Sequence, residues 1–302
     1  MRRLPQIALL PDGKRLHLQD GPIDLVIGAS GSEGEVRLAY EAAARRFNGL
    51  LDELCEELGE LRKAAYPAGS ALRGIVARRM HAAVAPFAAE QFITPMAAVA
   101  GSVAEEILGA MLAAAQLDRA YVNNGGDIAL HLAGAEQFAI GLMDRTDNRG
   151  VMQTIGIEAG DAARGIATSG RHGRSFSLGI ADAVTVLAKT ASQADAAATV
   201  IANAVDLPGH PAIARLPANE LQPDSDLGAR LVTRAVGRLG ENEIDEALAA
   251  GGNRAQQLLA AGLIEGAALR LLGETAVVGS TGIRASALPA IHGGAPAGVA
   301  CV

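Results

Sequence analysis

The stretch YVNNGGDIAL, residues 121–130, places five turn-forming residues between two apolar segments. Asn-Gly and Gly-Gly pairs supply the positive φ angles that a tight turn between antiparallel strands requires, so the stretch predicts a β-hairpin. Five turn residues exceed that minimum, and paired glycines also let a backbone approach a flat ring or a phosphate. Asn124, Gly125, Gly126 and Asp127 are therefore either a plain turn or part of a ligand site.

Strand-like and helical segments extend outward from this hairpin in both directions. Upstream, turn signals at 12–13 and 20–21 separate short apolar segments, and a helical period then runs from Glu33 to Ala65. Further helices are predicted within 70–87, 102–117, 193–205 and 226–259, and further strands at 137–143, 152–159, 182–189, 268–273 and 276–285.

This mixture predicts an α+β (mixed α/β) fold, in which antiparallel or mixed sheets pack with long helices. The spacing of the segments shows no internal repeat. We expect a single domain over 1–302, with a motif-bearing core at 94–205 and a helical C-terminal elaboration and tail at 224–302.

The composition argues against nucleic acid as a partner and against a cysteine-based site. The 302 residues include 33 acidic and 26 basic side chains, a net charge of -7, and only 3% aromatic residues. Such a chain has neither the positive charge to hold a phosphate backbone nor many rings on which bases could stack. Cys55 and Cys301 lie too far apart in sequence to form a CxxC pair, so neither a zinc site nor a disulfide framework is indicated.

The apolar runs of the sequence are too short to indicate membrane insertion or export. The initial run IALL stops at residues 11–13, before it reaches the length of a signal-peptide core, and later runs such as ILGAMLAAA are interrupted before they could span a bilayer. We therefore expect no membrane partner and a cytoplasmic location.

A second polar stretch, ATSGRHGR at 167–174, ends the next predicted strand. It contains Thr168, Ser169, Gly170, Arg171, His172 and Arg174. Two guanidinium groups beside small hydroxyl residues and a glycine are suited to cradle an anion, and an exposed basic loop is the alternative of nearly equal weight. A single loop histidine is common, so His172 is only a candidate catalytic residue.

A third stretch, QADAAATVIANAV at 193–205, keeps one carboxylate and one hydroxyl in an otherwise almost apolar helix. Asp195 and Thr199 are four residues apart, a spacing that stacks both oxygens on one helical face. That face is either exposed to water or part of a site that uses both oxygens.

In this order and at these separations, the motifs VNNGGDI, ATSG, DAVTV and ADAAAT resemble those of the ApbE-like superfamily, the FAD:protein FMN transferases. The resemblance covers roughly residues 94–205 and implies an ApbE-like fold. Before the hairpin, AAVAGSVAEEI stands where the family has a segment similar to GIAKGYAVD. Gly101 is retained there, whereas Ala100 stands where a Lys is usual and Glu105 where an Asp is usual.

The resemblance also implies a metal site and a nucleotide ligand. Family members bind Mg²⁺ through the Asp and Thr of the motif similar to ADAAAT, which are Asp195 and Thr199 here, and through a backbone carbonyl that would lie near Val99. These groups agree with the preference of Mg²⁺ for carboxylate, carbonyl and water oxygens, completed by substrate phosphates. The implied ligand is FAD or a related nucleotide.

One departure from the family bears on catalysis. Transferases of the family carry a segment like HHIxDPxTG, which supplies a catalytic histidine, whereas RHGRSFSLGIA here leads directly into DAVTVL. Losing a general base typically costs about 10²- to 10⁴-fold in rate. The sequence therefore predicts either Mg²⁺-dependent FMN transfer or pyrophosphate cleavage, or non-catalytic flavin or nucleotide binding, in a cytoplasmic branch of the superfamily. Its Ala-rich helices could also pack in a homodimer.

Overall fold

A computed structural model describes residues 4–67, 69–143, 151–279, 283–284 and 299–301. The strands are β1 (Gln6–Leu9), β2 (Leu16–Asp20), β3 (Ile23–Ser30), β4 (Arg119–Asn124), β5 (Asp127–Leu132), β6 (Gln137–Met143), β7 (Val151–Glu158), β8 (Gly165–Ser169), β9 (Ala183–Ala188), β10 (Ile213–Pro217), β11 (Leu231–Val236), β12 (Gly266–Leu271), β13 (Glu274–Val278), β14 (Ile283–Arg284) and β15 (Val299–Cys301). The α-helices are α1 (Glu33–Phe47), α2 (Leu50–Glu56), α3 (Leu58–Leu61), α4 (Ile75–Val84), α5 (Val99–Ala114), α6 (Ala191–Ala204), α7 (Ala218–Leu221) and α8 (Glu241–Ala260), and two 3₁₀ turns cover Ala85–Phe87 and Pro95–Ala98.

The main structural element is a nine-stranded sheet in the order β1-β2-β3-β4-β5-β8-β9-β12-β13. Every neighbouring pair in it is antiparallel. The hairpin predicted from YVNNGGDIAL forms the β4–β5 pair near the middle of this sheet, with Asn124 opposite Asp127. The α+β fold with antiparallel and mixed sheets and long helices is confirmed.

Helices cover one face of the large sheet, and a smaller sheet covers the middle of the other face. Helices α1 and α5 pack against β2 to β5, while α6 and α8 lie behind β8, β9 and β12. The smaller sheet has the order β14-β7-β6-β15, and its Ile140 and Ile155 share a core with Ile128 and Ile166 of the large sheet. The alternation of side chains along β5 explains this arrangement, because Ile128 and Ala129 point to opposite layers.

Two predicted helices are divided in the structure. The segment predicted as one helix from Glu33 to Ala65 forms α1, α2 and α3, because Gly49 adopts φ +84°, a conformation that a continuous right-handed helix cannot contain. The segment predicted as helical from Asp226 to about Leu259 contains strand β11 before α8. There the β-branched Val232 and Thr233 pair with β10 in a two-stranded sheet.

The C-terminal third of the chain takes part in the main sheet. Strand β12 pairs with β9, directly beside the motif-bearing strands, and β13 forms the sheet edge. Helix α8 packs against both α6 and β12. The described residues from 224 onward are therefore continuous with the core, and among them only α8 is helical.

One helical stretch of the described residues, Pro95–Ala114, has the length and composition of a membrane-crossing helix. It contains the second 3₁₀ turn and α5. Val103, Ile107 and Met111 on this stretch have no exposed surface, because they pack in the core between α1 and the sheet. The apolar character of the stretch is thus explained by its central position.

Candidate metal and nucleotide site

Four elements carrying the motifs meet at one end of the large sheet. They are the β4–β5 turn, the end of β8, the first turn of α5 and one face of α6. The motifs lie far apart in sequence, so the sheet order and the α5–α6 packing bring them together.

Helix α6 carries Asp195 and Thr199 on the side that is not fully covered by the core. The helix begins after Thr190, whose hydroxyl accepts a hydrogen bond from the N–H of Gln193 at 3.3 Å. Its alanines 196 to 198 are fully buried, whereas Asp195 and Thr199 are only partly buried. The predicted common face of the two polar residues is therefore the side on which α6 is not covered by core residues.

The first turn of α5 contacts Asp195. The N–H of Gly101 donates to Asp195 Oδ2 at 2.9 Å, and such N–H groups at a helix start have no partner within the helix. Gly101 is required for this contact, since a Cβ there would lie 2.2 Å from the carbonyl oxygen of Ala191 and 3.0 Å from Asp195 Cβ. Val99, near which a carbonyl ligand is predicted, is the first residue of the same helix.

The β4–β5 hairpin is a tight turn that is also attached to α5. Gly125 and Gly126 have φ +66° and +115°, and the N–H of Gly126 donates to Asn123 Oδ1 at 2.8 Å, as the turn interpretation requires. In addition, the buried Asn124 donates through Nδ2 to the carbonyl of Ala100 at 3.2 Å. The hairpin is therefore held beside the helix start that contacts Asp195.

Asp127 follows the turn and points toward the end of β8. Its Oδ1 accepts a hydrogen bond from the N–H of Thr168 at 3.2 Å, and the Thr168 hydroxyl contacts the Thr185 hydroxyl at 2.9 Å. Burial raises the pKa of Asp127 to about 7, although the Thr168 N–H and the positive charge of Arg174 act in the opposite direction. Ser169, the last residue of β8, pairs with Val184.

Asp127 and Asp195 are two like charges close enough to affect each other. Burial is the main cause that raises the pKa of Asp195 well above its usual value, and the negative charge of Asp127 raises it further. Hydrogen bonds from the N–H groups of Gly101 and Ala100 only partly offset these effects. A positive charge beside them would therefore favour the ionised form of both carboxylates.

The donors at this end of the sheet fit Mg²⁺ by their chemistry. They are two carboxylates and the Thr199 hydroxyl, all of which are hard oxygen groups. No three His, Cys, Asp or Glu side chains are grouped as metal ligands within the described residues. A cation here would thus need backbone, water or phosphate oxygens to complete its coordination, as is usual for Mg²⁺.

The loop after β8 separates the residues predicted there. Arg171 donates through Nε to Asp182 Oδ1 at 2.8 Å, and His172 Nε2 lies 3.3 Å from the same oxygen. Arg174 instead lies against Gly125. The two arginines that are predicted to cradle an anion therefore contact different groups. His172, the candidate catalytic residue, lies beside Asp182 at the start of β9.

Sequence reasoning missed several residues that organise this region. Asp182 accepts hydrogen bonds from both Arg171 and the N–H of Leu272, and Glu105 accepts from the Ser192 hydroxyl at 2.9 Å at the start of α6. Asp127 was predicted as a turn or ligand residue, and its electrostatic coupling to Asp195 was not foreseen. Local patterns carry no signal for these contacts, because each joins segments that only the tertiary fold brings together.

Comparison with known proteins identifies the family. A family model described as "AbpE bacteria" matches residues 7–277. The chain belongs to this ApbE-like family. The match extends well beyond roughly residues 94–205, the range over which the motifs resemble the superfamily, and includes the described strands β12 and β13 almost completely.

Archaeal relatives share about two fifths of the aligned positions. A UPF0280 protein of Methanopyrus kandleri is 41% identical over 129 residues, which are 42% of this chain and 48% of that protein. A UPF0280 protein of Methanococcoides burtonii is 40% identical over 121 residues, 39% of this chain and 48% of that protein. The chain thus spans about half the length of the curated relatives it matches.

Among solved structures, the chain is similar to the apo form of the flavinyl transferase ApbE from Pseudomonas stutzeri. The two share 12% sequence identity and a TM-score of 0.46, over 92% of this chain and 95% of that one.

Proposed function

We propose that the protein uses Mg²⁺ to bind FAD or a related nucleotide and to transfer or cleave it at the pyrophosphate. The observation that carries this proposal is the convergence of Asp127 and Asp195, two partly buried carboxylates that repel each other, with Thr199 one helical turn away. A divalent cation between them would remove the repulsion, and phosphate oxygens would complete its coordination. Membership of an ApbE-like family supports the flavin part of the proposal.

The residues of the site have separate parts in this function. Asp195 and Thr199 would hold the metal ion, which when bound supplies positive charge to phosphate oxygens during transfer. The N–H of Gly101 orients the Asp195 carboxylate, and Asn124 keeps the glycine turn beside the start of α5. A carbonyl near Val99 is the proposed backbone ligand. The binding partner is a small molecule, and a cytoplasmic location and a homodimer stay predictions.

Non-catalytic binding of the same nucleotide is the second candidate. It is favoured by the position of His172, which lies 3.3 Å from Asp182 on the start of β9. Three other described histidines contact parts of the chain outside the motifs: His17 binds Asp24, His131 the carbonyl of Leu117, and His210 Glu243. The fourth, His81, is buried on α4. A base for the transfer step is thus harder to assign than the metal ligands.

Incubating purified protein with FAD and Mg²⁺ separates the two candidates. Both FMN transfer and hydrolysis break the same P–O–P bond and release AMP, whether an acceptor hydroxyl or water receives the FMN phosphoryl group. We expect AMP release by wild type and at least a hundredfold less by Asp195→Asn, because the charged ligand is lost. Asp245→Asn, on the exposed side of α8, serves as the matched control.

Four results of this experiment have distinct meanings. AMP release that depends on Asp195 supports the enzyme. Retained FAD without turnover in wild type supports the non-catalytic binder. Absence of both binding and turnover contradicts the proposed function, and AMP release that survives in Asp195→Asn contradicts the assigned metal site.

A further inference from the structure

The two arginines of the loop after β8 have different surroundings. The Arg171 guanidinium is bound to Asp182, and only 17% of its side-chain surface is exposed. Its backbone N–H also donates to the carbonyl of Ala181 at 2.9 Å. Asp182 in turn accepts from the N–H of Leu272. Arg171 therefore anchors the loop to β9 and the β12–β13 turn, and its charge is matched.

Arg174 extends in the other direction and lies on the tip of the β4–β5 hairpin. A Cβ at Gly125 would be 3.2 Å from Arg174 Cζ and Nη2, so the absence of a side chain at this glycine lets the guanidinium lie close against the turn. The Arg174 Nη1 donates only a long hydrogen bond, 3.4 Å, to the carbonyl of Pro22. Arg174 is exposed and forms no ion pair within 4.0 Å to another described residue.

The charge balance of the region gives Arg174 a function. Arg174 lies against Gly125, whose neighbour Asn124 donates to the carbonyl of Ala100 at the start of the helix that contacts Asp195. With both carboxylates of the site ionised, they and Arg174 carry one net negative charge, and a bound divalent cation would convert this to one net positive charge. A planar guanidinium beside such a cation matches the geometry of a phosphate, which it can bind through two parallel hydrogen bonds.

We propose that Arg174, seated on Gly125, contacts a phosphate of the flavin nucleotide and thereby makes the site selective for phosphorylated flavins over riboflavin. This inference rests on the proposed function. Arg171, by contrast, acts only as a positioning residue that holds the loop. The glycine turn then serves the ligand indirectly, by seating the arginine.

Affinities for FMN, FAD and riboflavin, measured by flavin fluorescence in the presence of Mg²⁺, test whether Arg174 binds the phosphate and Arg171 only holds the loop. Arg174→Ala should weaken FMN and FAD binding about tenfold to a hundredfold, which is the value of a lost charge-assisted hydrogen bond, and leave riboflavin binding unchanged. Arg174→Gln, which keeps a long polar side chain without the charge, should behave similarly. Arg37→Ala, an exposed arginine of α1, is the control and should change none of the three affinities.

Arg171→Ala completes the comparison. We expect it to lower the melting temperature and to keep most of the preference for FMN over riboflavin, because the residue acts through the loop. Equal FMN-to-riboflavin preference in wild type and in both Arg174 variants would overturn the inference while leaving the proposed function intact. Loss of riboflavin binding along with FMN binding in a folded Arg174 variant would also overturn it. If wild type binds none of the three flavins, the proposed function and the inference fail together.

Discussion

Helix α5 has two groups of charged residues around it, and they are balanced in opposite ways. Along its middle, Glu105 and Glu106 meet Arg79 of α4 and Arg46 of α1 in ion pairs of 2.7 to 3.1 Å. At its first turn, the N–H of Gly101 donates to Asp195. The charged side chain that affects the pKa of Asp195 is another carboxylate, that of Asp127. Each carboxylate of the first group forms an ion pair with an arginine, whereas Asp195 is bonded to backbone N–H groups.

The pKa values of the carboxylates express this difference. Burial acts to raise the pKa of Glu106, but hydrogen bonds from Arg46 and Arg79 outweigh it, so the pKa lies below its usual value. Burial also raises the pKa of Asp195, and there the neighbouring Asp127 adds to the rise. A self-neutralised group stabilises the fold, whereas an unbalanced group at a sheet end is typical of a site that awaits a charged ligand.

The largest expected effect concerns the close approach of α5 and α6 at the unbalanced end. Gly101→Ala should lower the free energy of unfolding by about 3 kcal/mol, the upper end of what overpacking costs, because the new Cβ would overlap the Ala191 carbonyl. Gly109→Ala, in the same helix but with nothing within 4 Å of the new Cβ, should instead gain about 0.5–1 kcal/mol. Urea unfolding of both variants measures this. Equal effects of the two substitutions would show that the α5–α6 contact is not tight.

A second pair of substitutions compares the two charged groups directly in the absence of metal. Glu106→Gln should lower the free energy of unfolding by about 2 kcal/mol, since it breaks contacts to two arginines that keep some exposure to solvent. Asp195→Asn should leave the stability unchanged or raise it, because it removes a repulsive charge while an oxygen remains to accept from Gly101.

The same denaturant curves decide this second prediction. A destabilisation of Asp195→Asn as large as that of Glu106→Gln would mean that the carboxylate is a structural helix cap, and the contrast between the two groups would disappear.

The third prediction concerns pH. The pKa of Asp127 is raised from 3.8 to about 7 in the folded protein, so the folded state holds this proton more tightly than the unfolded state. Without metal, the contribution of Asp127 is fully stabilising below about pH 4 and is lost as the pH rises through about 7. We expect Asp127→Asn to reduce this fall in stability by about 1.4 kcal/mol, the value of one pKa unit. This is less than the full pKa shift would give, because solvent screening weakens the effect of a partly exposed charge. Unfolding curves at pH 4 and pH 8 measure the change, and identical pH dependence in wild type and variant would contradict it.

The sequence predicted the elements that local patterns determine. The glycine turn predicted the β4–β5 hairpin, and apolar periodicity predicted α5 and α6. The break at Gly49 was missed because the apolar spacing continues across it, and only the φ angle of +84° shows the interruption. The place of β12 beside β9 was also beyond local reasoning, since the order of strands in a sheet depends on contacts between distant segments.

For the candidate site, the sequence predicted which residues are present better than which groups each of them contacts. Asp195 and Thr199 stood out because oxygen groups are rare on such an apolar helix, and the family resemblance extended this to Val99. The pairing of Arg171 with Asp182 was not predicted, because the sequence does not show which of its many carboxylates a given arginine contacts. The coupling of Asp127 to Asp195 depends on how the hairpin meets α5 and α6, which no local pattern records.

Thermal unfolding with and without Mg²⁺ tests most directly whether the unbalanced carboxylates form a metal site. At a free Mg²⁺ concentration one hundred times its dissociation constant, wild type should gain about 2.7 kcal/mol of stability. Asp195→Asn should lose most of this gain, Thr199→Val part of it, and Glu106→Gln none, although Glu106→Gln begins from a lower melting temperature. Equal melting curves of wild type with and without Mg²⁺, in the presence of FAD, would contradict the account, as would an undiminished gain in Asp195→Asn.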